Sequence, residues 1–156
     1  MPNYKQLLDM SNATLVAMGS AMMNMGLNIP LVWNEIASVF GDGAKHMLED
    51  LGLKPEGSDV KSITEDFAAK ITKLGFCQRA IIMEATDNKI VIDLGECIFG
   101  SATKVFRGDD LNFIPPCPMM SILYSAVEAQ TGKKGFIESC LWVPEKNTSV
   151  FTVSLE

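Results

Sequence analysis

The sequence predicts an α+β fold, with N-terminal helices packed on a twisted, largely antiparallel four-stranded sheet and elements in the order ααα-ββ-α-ββ. Three observations predict it. Apolar residues in the first half recur at helical spacing, in runs closed by glycines. Two pairs of short runs rich in β-branched and aromatic residues follow, each pair joined by a turn. One more helical run, from Pro118 to Gly132, separates the pairs, so the strands form two hairpins and the helices cover one face of their sheet. With 156 residues, 47% of them hydrophobic and 21% charged, the chain can bury a substantial core, and it reads as a single domain, 1–156.

The first helix runs from Pro2 to Met25, on Tyr4, Leu7, Leu8, Leu15, Val16, Met18, Met22 and Met25, with Gly26 as its stop. A second, entered at Pro30, carries Leu31, Val32, Ile36, Val39, Phe40, Met47 and Leu51 before Gly52. Gly41 and Gly43 interrupt it, each costing about 1 kcal/mol relative to alanine in a helix interior, so a break or a close backbone neighbour is expected there. Ser62 and Glu65 read as a capping box for the third helix, whose buried stripe is Ile63, Phe67, Ile71 and Leu74. "RAIIMEATDNKIVIDLG" is a hairpin turning at Asp87-Asn88, and 96–116 reads as an irregular flap or a short extra element. Met119, Met120, Leu123, Ala126 and Val127 then give the last helix its apolar face, and "GFIESCLWV" and "SVFTVSL" are the closing strands. Strict alternation in the first of these directs Ile137, Ser139, Leu141 and Val143 inward, and Phe136, Glu138, Cys140 and Trp142 the other way.

Composition excludes several function classes. A net charge of −6, with Lys104, Arg107, Lys133 and Lys134 scattered among acids, disfavours nucleic acid. No 18-residue apolar run is present and the first residues are polar, which predicts a cytoplasmic chain without a membrane span. The four cysteines, none in a CxxC pair, are expected as thiols. Glycine motifs for nucleotides are absent, and His46, the sole histidine, has no nucleophile motif beside it. The strongest chemical constellation is "CPMMSILYSAVEAQTGKKGFIESC", a helix and a strand start bracketed by Cys117 and Cys140. Those thiols are open to two readings: buried packing residues, or, with Cys97 and Glu138, donors to a zinc ion, although zinc sites usually supply closely spaced pairs. Ten methionines, several in "MGSAMMNMG", suit either core filling or a surface for apolar partners.

The segment from Cys117 to Leu155 resembles the C-terminal signature of the 4-vinyl reductase-type, or hydrocarbon-binding, domains: Cys117 opening a helix, Gly132 at its end, Glu138 and Cys140 on the next strand, and "SVFTVSL" last. Where that family often has a further Cys, this chain has Ser149-Val150. The N-terminal half resembles the subunits of the TRAPP vesicle-tethering complexes, which share the fold, in "LLDMSNATLVAMG" and "NEIASVFGDGAKHMLEDLG"; their acylated cysteine has no counterpart in "LGLKPEGSDVKS". The resemblance implies a homodimer formed through the N-terminal helices and an apolar cavity holding a hydrophobic small molecule, with no cofactor assigned. The ligand-binding candidates are Met22, Trp33, Phe40, Met47, Cys117, Met120, Tyr124, Cys140 and Trp142. The leading expectation is a non-enzymatic binding module. The alternatives are an interaction scaffold with a filled core, and a metal- or thiol-dependent reductase that draws electrons from a separate donor.

Overall fold

The computed structural model describes residues 4–27, 31, 32, 35, 45–98, 100, 114 and 117–156. Three helices come first among these: α1 (Tyr4–Asn24), α2 (Lys45–Asp50) and α3 (Val60–Lys73). The hairpin β1 (Arg79–Ala85) and β2 (Lys89–Gly95) follows, then α4 (Pro118–Thr131), then β3 (Gly135–Val143) and β4 (Thr148–Leu155), joined by a single 3₁₀ turn. The four strands form one antiparallel sheet in the order β1-β2-β4-β3. Both the element order and the sheet agree with the sequence reading. The predicted break at Gly41 and Gly43 and most of the 96–116 segment lie outside the described residues.

Helix ends follow local chemistry. Gly75, at φ +78, takes the left-handed turn that lets the Phe76 amide reach back to the Ile71 carbonyl at 2.9 Å, closing α3. The same backward bond ends α1, from Leu27 to Met22, and α2, from Leu53 to Leu48. At its start α3 departs from expectation. The cap is Asp59, whose carboxylate accepts from the Ser62 amide at 2.7 Å while the Asp59 amide donates to the Ser62 hydroxyl. Aspartate caps as well as serine does, and a serine three residues on returns the bond usually supplied by Glu or Gln, so the helix begins at Val60. These bonds hold the Asp59 carboxyl below the usual carboxylate range.

Strand register fixes the core. Three rows cross the sheet on its inner face: Ala85, Ile90, Val153 and Ile137; then Ile82, Ile92, Phe151 and Cys140; then Ala80, Leu94, Ser149 and Trp142. Helix α3 lies over β1 and α4 over β3, and the helices touch each other. Ile63, Phe67 and Ile71 from α3, with Met120, Leu123 and Val127 from α4, are fully or almost fully buried against the sheet. Gln130 ties the preceding loop to this layer, donating to the Pro55 carbonyl and accepting from the Gly57 amide.

Both edge strands bulge, β1 at Met83 and β3 at Glu138. The second bulge corrects the predicted alternation. Pairing passes from Ile137–Val153 to Ser139–Thr152, so Glu138 is an extra residue and every later side chain changes face. Cys140 therefore joins Ile137 in the core and Leu141 points outward, the reverse of strict alternation. No carboxylate sits between Phe136 and Trp142 on a shared face, because Glu138 is exposed on the bulge.

Candidate functional site

Four of the nine predicted ligand residues converge where α4 begins. Cys117 is the N-cap of α4, Pro118 preorganises the first turn, and Met120 and Tyr124 project into the core toward β3 and Cys140. The approach is close: a Cβ added at Gly135 would stand 2.5 Å from the Tyr124 Cβ. Burial pushes the Cys117 thiol up to about 12, and burial also carries the Tyr124 hydroxyl to about 12. The Cys117 sulfur receives the backbone amides of Met120 and Met119, which only partly offset that burial, while nearby Cys140 and Cys77 oppose a negative charge further. Cys77 is likewise raised by burial, its sulfur 3.9 Å from the Thr72 hydroxyl. A thiol held neutral in this way is a poor nucleophile and a poor metal ligand, because both tasks need the thiolate.

The other five predicted residues fall differently. Trp142 ends the inner face of β3, half-buried. Met22 is half-buried on α1. Trp33, Phe40 and the side chain of Met47 lie outside the described residues, as does the side chain of His46. The possible zinc donors are not assembled, since Cys97 is half-buried beside the core and Glu138 stands exposed on the bulge. Among the described residues no group of three or more His, Cys, Asp and Glu is placed to hold a metal ion.

Two features of the surface stand apart from that core. The first is α1. Core filling was one expectation for its methionines, yet Met10 is 63% exposed, Met18 51% and Met25, just past its end, 75%. Gly19 is the one buried residue among those of α1 whose burial is described. The helical period predicted the helix but carried no information about what covers its apolar side chains.

The second lies on the sheet face turned away from α3 and α4. There Arg79 Nη2 donates to Asp93 Oδ2 at 3.4 Å, and Thr148 stands beside them across Gly95. Three buried atoms of this cluster have no hydrogen-bond partner among the described residues: Arg79 Nε, Asp93 Oδ1 and Thr148 Oγ1. An acid inside the apolar run "KIVIDLG" was a signal in the sequence; its companions are brought to it only by register.

No known protein family matches the sequence, and no curated protein does. Among solved structures, the chain is similar to a trafficking protein particle complex subunit 3 from Naegleria fowleri, covalently bound to palmitic acid, at 12% identity. The overlap covers 94% of this chain and 96% of that one, with a TM-score of 0.47. A likeness of that size assigns neither family nor ligand. Among the described residues no helix is long and apolar enough to cross a membrane.

Proposed function

We propose that this chain is a non-enzymatic interaction subunit, a single-domain cytoplasmic protein that pairs with a second copy of itself through α1. One observation carries the reading: the apolar side chains of α1, Met10, Leu15, Met18 and Met23, are exposed, whereas the stripes of α3 and α4 are spent on the sheet. Exposed apolar side chains along a helix as long as α1 suit an interface, because apolar surface in water gains about 25 cal/mol for each Å² it buries. The burial of Cys117, Met120, Tyr124 and Cys140 in the core supports a filled interior rather than a cavity at that corner. Four free thiols suit a reducing compartment.

A second reading, an apolar small molecule held at the paired α1 helices, is favoured by the methionines there, which adapt to varied apolar shapes. Native mass spectrometry with light-scattering chromatography separates the outcomes. The wild-type protein is expected as a dimer and Met18→Asp with Met25→Asp as a folded monomer; extra apolar mass on the dimer supports the second reading. A wild-type chain that stays monomeric at tens of micromolar would sink both.

A further inference from the structure

We propose that the methionines of α1 are a modification site: a hydroperoxide oxidises their thioethers to sulfoxides and thereby separates the paired chains. The inference rests on the reading of α1 as a pairing surface and adds its regulation. Five of the chain's ten methionines, Met10, Met18, Met22, Met23 and Met25, fall within or just past this one helix. Met18, Met22 and Met25 recur at i, i+4 and i+7, and the Met25 amide still donates to the Ala21 carbonyl at 3.1 Å, so the three share a helical face. Met10, Met18, Met23 and Met25 are 63%, 51%, 41% and 75% exposed, whereas Met119 and Met120 of α4 are 3% and 0% exposed. The fold thus separates an accessible set of thioethers on α1 from a shielded pair in the core.

Three of the four thiols do not compete for the oxidant. Cysteine reacts with peroxide as the thiolate, and Cys77, Cys117 and Cys140 are buried, the first two also held protonated by that burial. Cys97 is half-buried. A thioether needs no deprotonation. Its sulfur lone pair attacks one peroxide oxygen, the O–O bond breaks, and the other oxygen leaves as an alcohol or water after a proton shift. Sulfur loses two electrons and the peroxide gains them. The sulfoxide oxygen takes hydrogen bonds from water and resists burial, so an apolar face becomes a polar one. Pairing covers these sulfurs, so the oxidant takes the separated chain and holds it apart until the sulfoxides are reduced.

The test treats the protein with hydrogen peroxide and follows each methionine by peptide mass spectrometry, with light-scattering chromatography for pairing and circular dichroism for the fold. Met10, Met18 and Met25 are expected to gain one oxygen at least about tenfold faster than Met119 and Met120, with the folded signal retained. The dissociation constant of the oxidised chain should rise about hundredfold, since burial of one methionine is worth about tenfold and a symmetric pair carries each residue twice. Reduction by the two stereospecific methionine sulfoxide reductases should reverse the rise. Met10→Leu, Met18→Leu, Met22→Leu, Met23→Leu and Met25→Leu combined should abolish the response to peroxide, whatever dissociation constant that variant starts from. Met83→Leu, which removes the exposed methionine of the β1 bulge, and Cys97→Ser should leave the response intact. A dimer that survives sulfoxidation of the α1 methionines overturns the switch and leaves the α1 reading standing, and an equal loss of pairing in the leucine variant does the same. A wild type that is monomeric before peroxide is added overturns the α1 reading, and the switch with it.

Discussion

Helices α1 and α3 both carry apolar residues at helical spacing, yet Ile63, Phe67 and Ile71 of α3 are fully buried while Met10, Leu15, Met18 and Met23 of α1 face water. The difference lies in what each meets. Ile63, Phe67 and Ile71 find the inner face of β1 and the flank of α4, and α3 is pinned at its start by Asp59 and at its end by Gly75. Met10, Met18 and Met23 meet no such surface within the described chain. A periodic stripe states that a face will be covered; the sheet decides whether the same chain does the covering.

Four measurements break or sharpen that contrast. The largest effect is expected for Phe67→Ala, which opens a hole in the filled layer and should lower the unfolding free energy in urea by about 3–5 kcal/mol. Alkali comes next. The folded Cys117 thiol ionises near 12 instead of its usual 9.0, so between those values the folded state holds a proton that the unfolded chain has lost. Stability is therefore complete below about pH 9 and falls as pH rises toward 12, by as much as roughly 4 kcal/mol. Tyr124, raised from 10.0 to about 12, adds to the same decline. Cys117→Ala and Tyr124→Phe should each flatten the profile of unfolding midpoint against pH; an unchanged slope would show that neither group is buried as described. Third, Gly135→Ala forces α4 away from β3 and should cost about 1–3 kcal/mol, read in the same denaturation experiment. Smallest is Met18→Ala, expected to move the unfolding free energy of the separated chain by no more than about 0.5 kcal/mol. A cost like that of Phe67→Ala would place Met18 in a core and erase the distinction.

Much of the fold was legible because it is written in local terms. Glycines after apolar runs mark the ends of α1, α2, α3 and α4, and Asp87-Asn88 marks the first hairpin, since each of these depends on a few neighbouring residues. What stayed hidden depends on residues far apart. The bulge at Glu138 exists only in relation to β4, so no reading of "GFIESCLWV" by itself places Cys140 inside and Leu141 outside. Asp59 took the cap from Ser62 because both residues can serve, and sequence alone does not rank them. Cys117, Met120, Tyr124 and Cys140 meet in the buried cluster, but meeting is not purpose: the same side chains that suit an apolar guest also suit one another. The Arg79–Asp93–Thr148 cluster escaped notice because its members come from three strands and only Asp93 looks out of place where it stands.

The bulges at Met83 and Glu138 have a consequence for how the protein lives in a crowded cell. Each interrupts the regular rung spacing of an outermost strand, so a stray extended chain arriving at either border finds its bonds out of step after a few residues. The sheet is thereby closed to open-ended growth from its sides, and assembly is left to faces, where side chains rather than backbone choose the company.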